Sequence, residues 1–160
     1  MPGAVNQYTM PRPASRITMT AAPPQPLPEL VLRKGEERRL RAGHLWGFSN
    51  EVDTRRTPLT AFAPGDPVRV MSAAGKALGS GYVNPASLIA ARIVSRDARV
   101  PFDGRLVRGR IERALRLRER LYPDPAYRLV YGEGDGLPGL IVDRYGDALV
   151  AQITTAGMER

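Results

Sequence analysis

The 160-residue sequence contains no cysteine, so disulfide bridges, thiolate-bound zinc and a cysteine nucleophile are excluded within these residues. Its one histidine, His44, rules out a metal centre built on several imidazoles. No stretch of about 18 apolar residues occurs, so nothing reads as a membrane-spanning helix. Lysine is nearly absent: Lys34 and Lys76 stand against 22 arginines. Acidic residues are missing altogether from residues 1–28, which hold seven of the 15 prolines and show no apolar period. That composition predicts a disordered Pro-rich tail over 1–28. Arg12 and Arg16 among Ser and Thr would suit a transit peptide, but the prolines oppose the amphipathic helix that such a peptide forms.

What is abundant is positive charge. Lys and Arg number 24 against 16 Asp and Glu, a formal net charge of +8. Guanidinium groups fork onto phosphates and stack on bases, which favours a nucleic-acid partner over an acidic protein. High-GC coding also exchanges Lys for Arg without functional meaning, but that exchange creates no net charge. The length admits one ordinary domain or two small ones, and leaves no room for a large catalytic domain beside a recognition domain.

From Leu30 onward, short apolar segments alternate with turn residues. Leu30 to Leu32 reads as a strand and Glu36 to Ala42 as a helix of one or two turns. The acids Glu36 and Glu37 lie at its positive end, Arg38, Arg39 and Arg41 lie toward its negative end, and Gly43 sits where a left-handed cap belongs. Trp46, Phe48 and Val52 at even spacing predict a strand over 44–52 with one buried face. Strands over 68–70, 78–83 and 88–94 follow, divided by turn signals at Pro64, Gly65 and Asp66, at Ala74, Gly75 and Lys76, and at Asn84 and Pro85. Together they predict a small, mostly antiparallel β-barrel.

A long helix is predicted over 103–122, with Asp103 as its N-cap. Leu106, Val107, Ile111, Ala114, Leu115, Leu117, Leu121 and Tyr122 share one half of its wheel, while Arg105, Arg108, Arg113, Arg116 and Arg120 share the other. Arg110 and Arg118 project from the apolar half, so they must snorkel or meet a partner. Pro123 and Pro125 end the helix. Strands over 128–131, 140–143 and 149–154 complete a second unit, one long helix with an antiparallel meander, and the boundary falls near 97–102.

Gly134, Gly136 and Gly139 satisfy the spacing of a dinucleotide fingerprint, but a strand rather than a helix follows, and Asp135 would repel a phosphate. The stretch reads as a glycine-rich hairpin loop, with Glu133 and Asp135 in a solvated turn. The basic stretch says more. Arg33, Lys34, Arg38, Arg39 and Arg41 crowd the first connection, His44 and Trp46 follow directly, and residues 30–100 carry 12 basic against six acidic side chains. Arginines on phosphates and an unpaired base on an aromatic ring are the chemistry of RNA recognition. Trp46 equally suits a core anchor, and His44 a capping or backbone-bonded imidazole.

Three segments then carry a family resemblance. In this order, LVLRKGEERRLRAGHLWGFSNEV (30–52), GSGYVNPASLIAARIV (79–94) and YRLVYGEGDGLPGLIVDRYGDALVAQ (127–152) resemble the front part of the class I, S-adenosylmethionine-dependent large-subunit rRNA methyltransferases of the RlmI type. The likeness covers essentially all of 30–160. It implies an N-terminal PUA domain, a small central α+β domain and a C-terminal Rossmann-like methyltransferase domain, with cytosine modified at C5. Lys34, Gly35, His44, Trp46 and Phe48 match the family's first PUA motif, and Asn84, Pro85, Ser87, Ile89 and Arg92 its later strand motif. Leu45 stands where proline is common, and Gly134 where serine is usual. Enzymes of this kind add a cysteine thiolate to C6 of the base before methylating C5, and the sequence has no cysteine. Nor does it hold the strand, glycine-rich turn and helix that would cradle the cofactor.

The resulting expectation is a mostly β plus α+β fold: a PUA-type small β-barrel over 29–98 that binds RNA, then a central α+β domain over 102–160, truncated before the S-adenosylmethionine-binding domain. Large-subunit rRNA would be bound through Arg33, Lys34, Arg38, Arg39, Arg41, His44 and Arg92 and positioned for a methyltransferase domain missing from these residues. No catalytic residue, metal or cofactor is expected in the chain itself, S-adenosyl-L-methionine being the cofactor of the full-length family member. The expected setting is the cytoplasm, with no membrane partner. A stand-alone PUA-type RNA-binding adaptor is the alternative, and a homodimer is left open.

Overall fold

The structure, a computed structural model, describes residues 26–160, so the tail expected over 1–28 lies outside the described residues except for its last three. Five strands, β1 (Glu29–Val31), β2 (Trp46–Gly47), β3 (Pro67–Met71), β4 (Ala77–Val83) and β5 (Ala91–Ser95), form a sheet in the order β1-β3-β4-β5-β2 that curls into a half-barrel. Pairing is antiparallel except for β1, which runs parallel to β3 with Leu30 opposite Val70. Leu30, Leu32, Val68, Val70, Val83 and Ile93 are buried inside the curl, together with Leu40 of the short helix α1 (Glu37–Arg41). Arg96 fastens α1 to this sheet: its guanidinium donates to the Leu40 carbonyl at 2.6 Å and to the His44 carbonyl at 2.8 Å. A cation on the last carbonyls of a helix is favoured by the helix dipole.

The strand expected over 44–52 does not form. Trp46 and Gly47 pair with Arg92 and Ala91, the chain then winds through a 3₁₀ turn at Ser49–Glu51, and Val52 makes one isolated antiparallel bridge to Leu32. The buried Glu51 carboxylate is the cause, because it accepts the Phe48 N–H at 2.8 Å and Arg39 Nη1 at 2.9 Å and so closes the turn. Trp46 is 40% exposed and is not a core anchor. Between Ser80 and Gly81 the β4–β5 register shifts, and Gly81 lies so near the Arg92 carbonyl that a Cβ there would collide with it. That bulge sets the place of Arg92 opposite Tyr82.

The second unit is as the sequence predicts in kind. Helix α2 (Gly104–Leu121) packs on an antiparallel sheet of β6 (Ala126–Tyr131), β7 (Leu140–Tyr145) and β8 (Ala148–Ile153). Asp103 caps α2, its carboxylate accepting the Arg105 and Leu106 N–H groups at 3.0 and 2.9 Å. Val107, Ile111 and Leu115 meet Leu129, Val130, Leu137, Leu140 and Val142 in a second core. Three residues expected in it, Leu117, Leu121 and Tyr122, are instead 47%, 61% and 50% exposed. The helix lies on β6 and leaves every residue of β8 exposed, so the far side of its apolar half packs on no strand.

The two units share a seam. The Tyr82 ring of β4 is buried 5.6 Å from the Phe102 ring, and Gly157 lies directly on it, where any side chain would run into the ring. Arg160 pairs with Asp66 across the same seam. Both arginines of the apolar half of α2 find partners, as they must. Arg110 donates to the Val94 carbonyl of β5 and to the Gly136 carbonyl, and burial pulls its pKa down. Arg118 holds Asp135 through two hydrogen bonds of 2.7 Å. Asp135 therefore does not sit in a solvated turn: it is a partly buried counter-ion that also accepts the Tyr131 N–H at 2.7 Å.

Candidate nucleic-acid interface

The basic residues that crowd α1 are divided by the fold. Arg33 and Lys34 line a hollow of about 500 Å³ with Asp53, Thr54 and Arg55, whereas Arg41 lines another of about 310 Å³ with Gly43, Lys76 and Arg96. Arg38 is exposed on α1 itself. Arg38 and Arg41 extend from a short helix anchored at its C-terminal end by Arg96, and Arg33 and Lys34 lie in the turn that leads into it, so a backbone running past α1 would meet guanidinium and ammonium groups held by these bonds. Arg33 is only lightly tied, its Nε donating to the Val52 carbonyl at 3.2 Å, and Arg41 lies 3.9 Å from Glu37.

Arg39 is differently placed. Its guanidinium is 2.9 Å from the buried Glu51 carboxylate and 4.6 Å above the Phe48 ring, which ties α1 to the 3₁₀ turn. His44 is exposed, and it is its backbone rather than its ring that is bonded: the N–H donates to Arg39 at 3.1 Å and the carbonyl accepts from Arg96. Arg92 stands apart from all of these. It projects from β5 into the junction with the second unit, where Glu133 Oε1 lies 3.8 Å from its Nε.

That junction holds a groove of about 330 Å³ whose walls include Arg92, Arg128, Tyr131, Glu133, Ile141 and Thr155. Trp46 reaches its rim, donating from Nε1 to Glu133 Oε1 at 3.3 Å. Arg128 is bonded to Asp143 at 2.8 Å, which holds the Asp143 carboxyl below the usual carboxylate range, and its guanidinium lies 5.5 Å over the Tyr131 ring. Sequence reasoning named Arg92 and missed Arg128, Tyr131 and Glu133, because it took the glycine-rich loop for a free hairpin. The signal was present in Arg110 and Arg118, whose places on an apolar helix face required that something polar come down onto them.

A family model for a PUA-like domain matches residues 30–96, which are the residues of the five-stranded sheet and α1. Residues 30–96 form a PUA-like domain. Among curated relatives, the protein named ribosomal RNA large subunit methyltransferase I of Salmonella arizonae is 38% identical over 135 residues, covering 82% of this chain and 33% of its own length. The protein of the same name from Shewanella denitrificans is 38% identical over 136 residues, and that from Escherichia coli O1:K1 is 36% identical over 133, each again covered over 33% of its length. The chain thus spans about a third of the length of the curated relatives it matches, and the family resemblance read from the three segments is borne out. A solved SAM-dependent methyltransferase of Streptococcus mutans is similar in fold, with a TM-score of 0.67 at 18% identity, over 83% of this chain and 34% of its own. A second solved methyltransferase, complexed with SAH, has a TM-score of 0.68 at 18% identity.

The glycine-rich loop does not fit S-adenosylmethionine. The glycine-rich loop beside the PUA-like domain leads from Gly139 into β7, not into a helix N-terminus, and its Asp135 is already bonded to Arg118. Among the described residues no group of three or more His, Asp or Glu is placed to hold a metal. No helix of the described residues is long and apolar enough to cross a membrane.

Proposed function

We propose that this chain is the RNA-recognising part of an rRNA methyltransferase, with residues 29–98 as the RNA-binding PUA domain and 102–160 as the central α+β domain that supports it. The RNA is large-subunit rRNA, and the base modified by the whole protein is a cytosine at C5. Methyl transfer, with S-adenosyl-L-methionine as donor, belongs to the two thirds of the relatives' length that this chain does not match. The cytoplasm, where ribosomes are made, is the setting.

The observation that carries this reading is a PUA-like domain whose α1 connection bears Lys34, Arg38 and Arg41 exposed on a rigid mount. Arg33 and His44 flank that face, and Arg92 extends the contact toward the junction. Arg39 serves by holding α1 to Glu51. Neutralised phosphates release counter-ions, so binding should weaken steeply with salt.

The test is the salt dependence of binding to a structured large-subunit rRNA fragment. Arg38→Ala and Arg41→Ala together should lower the slope of log affinity against log salt by roughly 1.4 to 1.8 units, at about 0.7 to 0.9 per phosphate contact. An unchanged slope would remove α1 from the interface.

A further inference from the structure

The junction groove has features that the α1 surface lacks. Arg92 is 15% exposed in its side chain, and its Nε is buried without any hydrogen-bond partner, the 3.8 Å to Glu133 being too long for one. A buried donor left unmet is costly, so this atom asks for an acceptor that the chain does not supply. Beside it stand a carboxylate acceptor, Glu133, and the Thr155 hydroxyl, with Ile141 as an apolar wall. At the mouth the Tyr131 ring is 62% exposed, and Trp46 is 40% exposed on the rim.

A flat aromatic ring next to one orphan donor and a carboxylate with a second oxygen beyond the one that Trp46 bonds describes the complement of a nucleobase. Every base carries acceptors and N–H donors on its edge and a π-face for stacking. The groove, at about 330 Å³, has the volume of a small-molecule site and cannot admit a duplex. Within a duplex the edges are paired and the faces covered, so only an unpaired nucleotide presents both. Glu133 disfavours a bare phosphate in the same space, which places the ligand's charge outside and its base within.

We propose that this groove receives the base of one unpaired RNA nucleotide, stacked on Tyr131 and hydrogen-bonded to Arg92 and Glu133. This rests on the RNA-binding reading above and adds a second contact to it: α1 tracks the backbone, and the junction tests for a base out of the stack. Trp46, the only tryptophan of the chain, bonds to Glu133 and so reports on the groove by its fluorescence.

The experiment compares a blunt RNA duplex with the same duplex carrying a one-nucleotide bulge, by fluorescence anisotropy and Trp46 emission, using the whole chain. The bulged RNA should bind about five- to a hundredfold tighter, the range of one base stacked on an aromatic ring, and should alone change the Trp46 emission. Tyr131→Ala should abolish that preference, and Tyr131→Phe should keep it. Equal affinity of the native chain for both RNAs, or a preference that survives Tyr131→Ala, would overturn the groove proposal while RNA binding stands. Failure of both RNAs to bind would overturn the RNA-binding reading itself. Nucleoside monophosphates binding as tightly as the bulged duplex would make this a free-nucleotide site instead.

Discussion

The Tyr82 hydroxyl donates to Thr155 Oγ1 at 2.9 Å, and Thr155 Oγ1 donates in turn to the Pro138 carbonyl at 3.0 Å. A strand of the PUA-like domain is thereby joined to two segments of the α+β unit, in a site whose burial pushes the Tyr82 pKa up. Tyr82→Phe keeps the ring and loses one hydrogen bond, which should cost about 1 kcal/mol. Tyr82→Ala also removes the surface on which Gly157 and Phe102 rest, and should cost about 3–5 kcal/mol. Urea unfolding followed by far-UV circular dichroism checks both. A single transition that moves as a whole is expected, because the two units share this seam.

Arg118 and Asp135 form a pair with side chains only 14% and 11% exposed. Removing one partner of such a pair strands the other, at a cost of about 3–5 kcal/mol for a fully buried case. Asp135→Ala should be the worse of the two single changes. It strips the Tyr131 N–H of its acceptor as well as leaving the guanidinium alone. Thermal melting of Arg118→Ala and Asp135→Ala side by side gives the order.

Arg38 and Arg39 are sequence neighbours with opposite roles. Arg39→Ala leaves the buried Glu51 carboxylate without its cation and should destabilise the fold by about 1–2 kcal/mol. Arg38→Ala should change stability by less than about 0.5 kcal/mol, as exposed positions usually do, and should reduce RNA affinity. Chemical denaturation paired with an RNA titration separates the two effects. The reverse pattern would exchange their assignments.

Acid should unfold the protein below the ordinary carboxylate range. The carboxyls of Asp66, beside Arg160, and Asp103, bonded to the Leu106 N–H, are held low, and Arg99 brings Asp97 down to about 2. A carboxyl with a lower pKa in the folded state stabilises above its unfolded value, near 3.9, and that contribution is lost as pH falls through the folded value. Stability should therefore be flat from neutral pH to about 5 and fall between roughly 4 and 2. Asp103→Ala should cost about 1 kcal/mol at pH 7 by removing the cap of α2, whereas Asp103→Asn should keep the cap and flatten the acid slope. Unfolding midpoints measured across pH give the profile.

Much of the fold was readable from residues close together in sequence. The long helix, its Asp103 cap, its proline stop and the three-stranded meander follow from local periodicity, and so do β3 to β5. What local pattern missed depends on partners far along the chain. The even spacing of Trp46, Phe48 and Val52 suggested a strand, but Glu51 and Arg39 set a 3₁₀ turn there instead. Leu117 and Leu121 have the right period for a core, but the helix meets the sheet at β6 and leaves them outside the contact. Of the site, the basic α1 stretch is a charge cluster visible in the sequence, whereas the groove is assembled from β5, the glycine-rich loop and β6, and its Arg92 and Glu133 are 41 residues apart.

Arg110 lines no part of the groove, yet it sets the gap across it. One of its donors holds Val94, two residues beyond Arg92, and another holds Gly136, three residues beyond Glu133. The opening between the two walls is therefore calibrated by the span of a single planar guanidinium, like a spacer machined to one gauge. Exchanging it for the narrower, single-headed ammonium of lysine would let the jaws drift, altering which base fits without touching any atom that meets it.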